Sequence, residues 1–104
     1  MSEERVCALA DLAPGTARRF ELGPHKVCVV RCGDDVFAIG DTCSHAEVSL
    51  SEGEVLCDLK EIECWKHGST FGLVDGEPIS LPATRPVPVY DVRVDGDDVV
   101  VVLP

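Results

Sequence analysis

The chain has 104 residues, a formal charge of −10 at pH 7 and 45% hydrophobic residues. That length accommodates one small domain spanning 1–104, and no run of 18 apolar residues is present to cross a membrane. The acidity opposes binding to nucleic acid, whose phosphates demand Lys and Arg, while the apolar share opposes disorder.

In chain order the pattern is all β, with apolar runs broken by Gly, Asp and Pro. Residues 5–10 predict a strand. Residues 17–22, the turn pair Gly23-Pro24 and residues 26–31 predict a hairpin. Gly33-Asp34-Asp35 then turns the chain into a strand over 36–41. At the far end, strands over 87–94 and 98–103 flank Asp95-Gly96-Asp97, a tight-turn signal. No segment keeps a 3.6-residue period over three turns, so at most a single helical turn is expected, around Leu12 or within 44–49.

The segment 42–84 is different in kind. It lacks regular alternation and is rich in Gly, Ser and Pro, so it reads as loops that carry a site on a β scaffold. Within it stand Cys43-Ser44-His45 and Cys64-Trp65-Lys66-His67: C-x-H, eighteen residues, then C-x-x-H. Each motif offers one thiolate and one imidazole, a donor set that suits tetrahedral zinc or an iron–sulfur cluster. A single residue between Cys and His is unusual for structural zinc, whose sites favour C-x₂₋₄-C knuckles. Gly68 permits a tight turn directly after the second motif.

The other cysteines invite a plainer explanation. The opening Met1-Ser2-Glu3-Glu4 is acidic and no apolar secretory segment follows it, so a cytoplasmic location is expected, where disulfides rarely persist. Cys28 and Cys32 are four apart in a strand and so share one face. These two, with Cys7 and Cys57, are expected to be buried thiols. From Asp41 to Glu63 seven acidic residues face one base, Lys60, which predicts a solvated face or a surface that steers a basic partner. His25 is expected to be an exposed turn residue.

The two motifs resemble those of Rieske [2Fe–2S] proteins, in which two histidines replace two cysteines on one iron. The strand order around the motifs, Gly68-Ser69-Thr70-Phe71 and the Leu81-Pro82-Ala83 loop extend the resemblance over the whole chain. It implies an antiparallel β-sandwich with an inserted cluster-binding subdomain at about 42–84. It also implies that Cys43 and Cys64 hold one iron and that His45 and His67 hold the other, solvent-facing iron. Two ferric ions, two sulfides, two thiolates and two neutral imidazoles sum to zero charge, whereas four thiolates would leave a dianion. The neutral cluster takes up an electron more readily, which is why such potentials lie at about −150 to +300 mV against about −400 mV for plant-type ferredoxins.

Departures from the family's high-potential members place this chain at the low end of that range. The extra bridged cysteines of respiratory relatives correspond here to Val48 and Lys66, and Phe71 stands where those relatives carry a tyrosine hydroxyl. Ser69 matches the family serine that donates to a bridging sulfide. Within the family the chain looks like the small ferredoxin of multicomponent oxygenases. That resemblance implies a monomeric one-electron carrier between a flavin-dependent reductase and a terminal non-heme iron oxygenase, with no catalysis of its own. A redox sensor or an accessory of iron–sulfur assembly is the alternative. A catalytic oxygenase would need two further histidines and a carboxylate, and only His25 is left over.

Overall fold

The computed structural model describes residues 2–42, 48–66, 68–79 and 85–103. Cys43, His45, His67 and the Leu81-Pro82-Ala83 loop lie outside these residues, as does most of the expected helical turn at 44–49. Among the described residues nine strands follow in order: β1 (Ser2–Ala8), β2 (Thr16–Leu22), β3 (His25–Cys32), β4 (Asp35–Gly40), β5 (Glu54–Leu56), β6 (Glu61–Glu63), β7 (Thr70–Gly72), β8 (Val89–Asp95) and β9 (Asp98–Leu103). The described helical structure consists of single 3₁₀ turns at Leu9–Asp11 and Leu50–Glu52. None of it is long and apolar enough to cross a membrane.

Six strands form one sheet in the order β1-β9-β8-β4-β3-β2, every pairing antiparallel. Among the described residues its two halves are joined by the register pairs Ala38 with Tyr90 and Ile39 with Val89, and by the Gly40 N–H donating to the Pro88 carbonyl at 2.7 Å. The halves fold over a shared lower core in which Val27, Val29 and Ala38 from one meet Cys7, Val99, Val101 and Leu103 from the other. This is the sandwich that the sequence predicts, and the turns fall where its Gly signals lie. The first strand starts earlier than expected, at Ser2, and ends at Ala8.

The continuous run Val27-Cys28-Val29-Val30 has a physical reason. Alternate side chains of β3 point to opposite faces, and both faces are covered. Val27 and Val29 enter the lower core, while Cys28 and Val30 enter a second, upper core. That upper core is closed from above by a small antiparallel sheet in the order β5-β6-β7. Val55, Ile62 and Phe71 stand at paired positions across it and point down. The small sheet corrects the expectation that segment 42–84 is built only of loops: strands of three residues are too short to show alternation.

A disulfide between Cys32 and Cys57 ties the two sheets together across a sequence separation of 25. This corrects the expectation of buried thiols at both positions. Cys32 lies on the same face of β3 as Cys28, as the spacing predicts, and that face meets the turn after β5. On the chain-entropy account, closing a loop of this size contributes about 3 to 4 kcal/mol. Cys7 and Cys28 are buried thiols as expected. Burial pushes both thiols above the usual thiol range, and the Asp41 carboxylate adds to the effect at Cys28.

Candidate metal centre

Of the four expected ligands, the structure places Cys64. It follows β6 directly and is fully buried in the upper core beside Ile62, Phe71 and Leu73. Its loop folds back on itself: the Cys64 N–H donates to the Ser69 carbonyl at 2.6 Å and the Gly68 N–H donates to the Cys64 carbonyl at 3.0 Å. Gly68 takes a φ of +73°, a conformation that a side chain would oppose. Ser69, also fully buried, returns the chain to β7. Between these anchors the surface opens. Trp65 is 52% exposed and Lys66 is exposed, so Trp65 is not a core residue and Lys66 is solvated.

The first motif, at 43–45, lies outside the described residues, but both flanks of its loop are held. Thr42 and Ser49 form a bridge across the loop mouth, and the Leu50 N–H donates to the Asp41 carbonyl at 2.6 Å. The Asp41 carboxylate is only 1% exposed. It accepts from the Ser49 hydroxyl at 2.6 Å and from the Ser51 N–H at 3.1 Å, and Arg19 lies 3.6 Å from it. A buried carboxylate is tolerable only with such partners. Asp41 therefore latches the entry of the loop to its exit, and it does not belong to the solvated acidic face expected of the 41–63 run. Sequence reasoning missed this role, because nothing local marks Asp41 as buried.

Both ligand loops rest on one core. Val48, at the exit of the first loop, packs against the same cluster of side chains that contains Cys64. A second close approach fixes their spacing. A side chain at Gly53 would strike the carbonyl of Glu63 at 1.7 Å, so only glycine lets the chain leaving the first loop lie against the residue before Cys64. The Cys64 side chain, buried beside Ile62, Phe71 and Leu73, offers one soft sulfur donor of the four expected. In the sequence, Cys43, His45 and His67 would complete with it the two-thiolate, two-imidazole set that a Rieske-type cluster requires.

The remaining candidates are elsewhere. His25 opens β3 half-buried, not as a free turn residue. Its ring meets Tyr90 edge-on at 5.7 Å between centroids, with Nδ1 3.3 Å from the tyrosine hydroxyl. A groove of about 560 Å³ is lined by residues that include His25, Val89, Tyr90 and Leu103, and among the described residues none of its lining belongs to either ligand loop.

A buried cysteine directly after the middle strand of a small sheet seated on a β-sandwich, in a chain whose sequence carries C-x-H and C-x-x-H motifs, fits an iron–sulfur protein of the two-cysteine, two-histidine kind. The chain belongs to the Rieske [2Fe–2S] domain family, whose model matches residues 2–91, and its cofactor is the Rieske-type [2Fe–2S] cluster. It is 42% identical over 101 residues to the ferredoxin component of biphenyl 2,3-dioxygenase from Rhodococcus jostii (strain RHA1), covering 97% of this chain and 92% of that protein. Among solved structures it resembles the ferredoxin of carbazole 1,9a-dioxygenase from Nocardioides aromaticivorans IC177, with a TM-score of 0.93, 42% identity and 97% of each chain covered. It also resembles a chain in a complex of reduced oxygenase and oxidized ferredoxin in carbazole 1,9a-dioxygenase, with a TM-score of 0.88, 41% identity and coverage of 95% of this chain and 91% of that one.

Proposed function

We propose that this chain is a monomeric, cytoplasmic one-electron carrier that takes electrons from a flavin-dependent reductase and delivers them to a terminal non-heme iron oxygenase, without catalysis of its own. Cys43, His45, Cys64 and His67 hold the cluster in this reading, and residues 1–104 form one domain with the cluster-binding part at about 42–84. The carrying observation is the placement of Cys64. Its side chain is fully buried while the next two residues, Trp65 and Lys66, are exposed. A cluster held there is shielded from bulk water on one side and lies close to a surface that a protein partner can touch. When bound, the cluster supplies the one-electron chemistry, and the chain governs access and potential. The full-length likeness to free-standing ferredoxins of dioxygenase systems supports the same reading.

The surface charge fits an encounter with a basic partner. Val55 and Ile62 point into the upper core, so Glu54, Glu61 and Glu63 lie on the outer face of the small sheet. Glu54 and Glu63 are direct cross-strand neighbours, a like-charge pairing that costs stability. Glu63 immediately precedes Cys64. Such a face speeds association with a cationic patch and loses its effect as salt screens it.

The test is a reconstituted relay. Purified protein is mixed with a flavin-dependent reductase and a terminal oxygenase of the biphenyl or carbazole dioxygenase type, and the cluster's visible absorbance is followed by stopped flow. The expected result is one-electron bleaching by the reductase, recovery on adding the oxygenase, and rates that fall steeply between about 50 and 500 mM salt. Reduced protein that no such oxygenase reoxidises would overturn the carrier role, and rates indifferent to salt would overturn the electrostatic part.

A further inference from the structure

We propose that Cys32 and Cys57 are a reversible redox-modification site, whose state sets how firmly the chain retains its cluster. Cys32 ends β3 in the large sheet, and Cys57 begins the turn that joins β5 to β6 in the small one. The bond therefore spans the seam between scaffold and site. The ring it closes contains the whole first ligand loop, Cys43 and His45 included. Cys57 also stands one turn and one three-residue strand ahead of Cys64.

Access distinguishes this pair. Cys7 and Cys28 are buried, with thiols that burial holds in the protonated, unreactive form. Cys32 and Cys57 are half-buried, and the turn that Cys57 opens continues through the exposed residues Asp58, Leu59 and Lys60. The oxidant is a small disulfide of the glutathione class. The Cys57 thiolate attacks it, forming a mixed disulfide and releasing one small thiol. The Cys32 thiolate then displaces the second thiol and closes the protein bond. Two protein thiols are oxidised, one small disulfide is reduced to two thiols, and the two protons pass to the leaving thiolates. Excess small thiol reverses both steps.

The consequence follows from loop closure. Cluster and disulfide restrain overlapping stretches of chain, so the disulfide acts most strongly once a cluster bond breaks. With the bond closed, a ligand that lets go stays near its place and rebinds. With the bond open, the turn after β5 loses its covalent tie to β3, and that restraint on the small sheet is gone.

The experiment equilibrates holoprotein in glutathione buffers of defined thiol-to-disulfide ratio, then splits the sample. One part is denatured and alkylated with a mass tag, and the other is mixed with an iron chelator while visible absorbance is followed. Of the six cysteines, four are expected to take the tag in the oxidised form and all six in the reduced form. The reduced form is expected to release its cluster about tenfold faster, and the Cys32→Ser/Cys57→Ser double variant to behave like the reduced form in either buffer. Should that variant fail to assemble a cluster, the two wild-type states decide the matter alone. Six tags at every glutathione ratio, or equal release rates in the two states, would overturn the proposal.

Discussion

Strands β2, β3 and β4 run for six to eight residues, whereas β5, β6 and β7 have three each. The long strands need little help, because β3 is paired on both edges and covered on both faces. Strands as short as those of the small sheet are marginal alone and need a packed face. The small sheet takes its support from the upper core it shares with β3 and β4, from the Cys32–Cys57 bond, from the Asp41 latch and, in the holoprotein, from the cluster. The site is thus mounted on the part of the molecule that depends most on others, and metal binding there also contributes to folding.

The sharpest way to test that asymmetry is to make one hole in each core. Leu12→Ala in the lower core and Ile62→Ala in the upper core both remove a fully buried side chain and are each expected to cost about 2 to 5 kcal/mol in chemical denaturation. Only Ile62→Ala is expected to speed cluster release to a chelator. Equal release from both variants would mean that the two regions do not differ in this way.

A smaller effect is expected at the latch. Asp41→Asn leaves the shape but gives up the charge that holds the Ser49 hydroxyl, the Ser51 N–H and Arg19. The expected loss is about 1 to 3 kcal/mol, with faster proteolysis near residues 42–49 and no change in the β1–β9 pairing by hydrogen exchange. A uniform loss of protection across both sheets would assign Asp41 to the general core.

The smallest effect is expected at Ser69. Replacing it with Ala removes one hydroxyl from the fully buried return of the second ligand loop. Loss of one hydrogen bond worth about 1 kcal/mol in the reduced state corresponds to roughly 40 mV for a one-electron couple. The midpoint potential is expected to fall by that order while the oxidised visible spectrum keeps its shape. An unchanged potential would remove Ser69 from the account.

Legibility in the sequence followed the same division. The long hairpins announce themselves through apolar runs and through the turns Gly23-Pro24, Gly33-Asp34 and Gly96-Asp97. The spacing of the two Cys–His motifs points to the iron–sulfur family without any geometry. The small sheet did not announce itself, because Glu54–Leu56 and Glu61–Glu63 are too short for a period to emerge. Strand parity gave the face of Cys32 but not its partner 25 residues away. In the sequence Asp41 is indistinguishable from its acidic neighbours, and only the tertiary approach of Arg19, Ser49 and Ser51 buries it.

The central claim is that this chain holds a Rieske-type cluster and passes one electron at a time. Electron paramagnetic resonance of the dithionite-reduced protein, with iron, sulfide and zinc analysis of the same sample, tests it most directly. The expected result is a red-brown protein with two irons and two sulfides per chain and a rhombic spectrum whose average g lies below the free-electron value. A colourless protein holding one zinc and giving no such spectrum would contradict it.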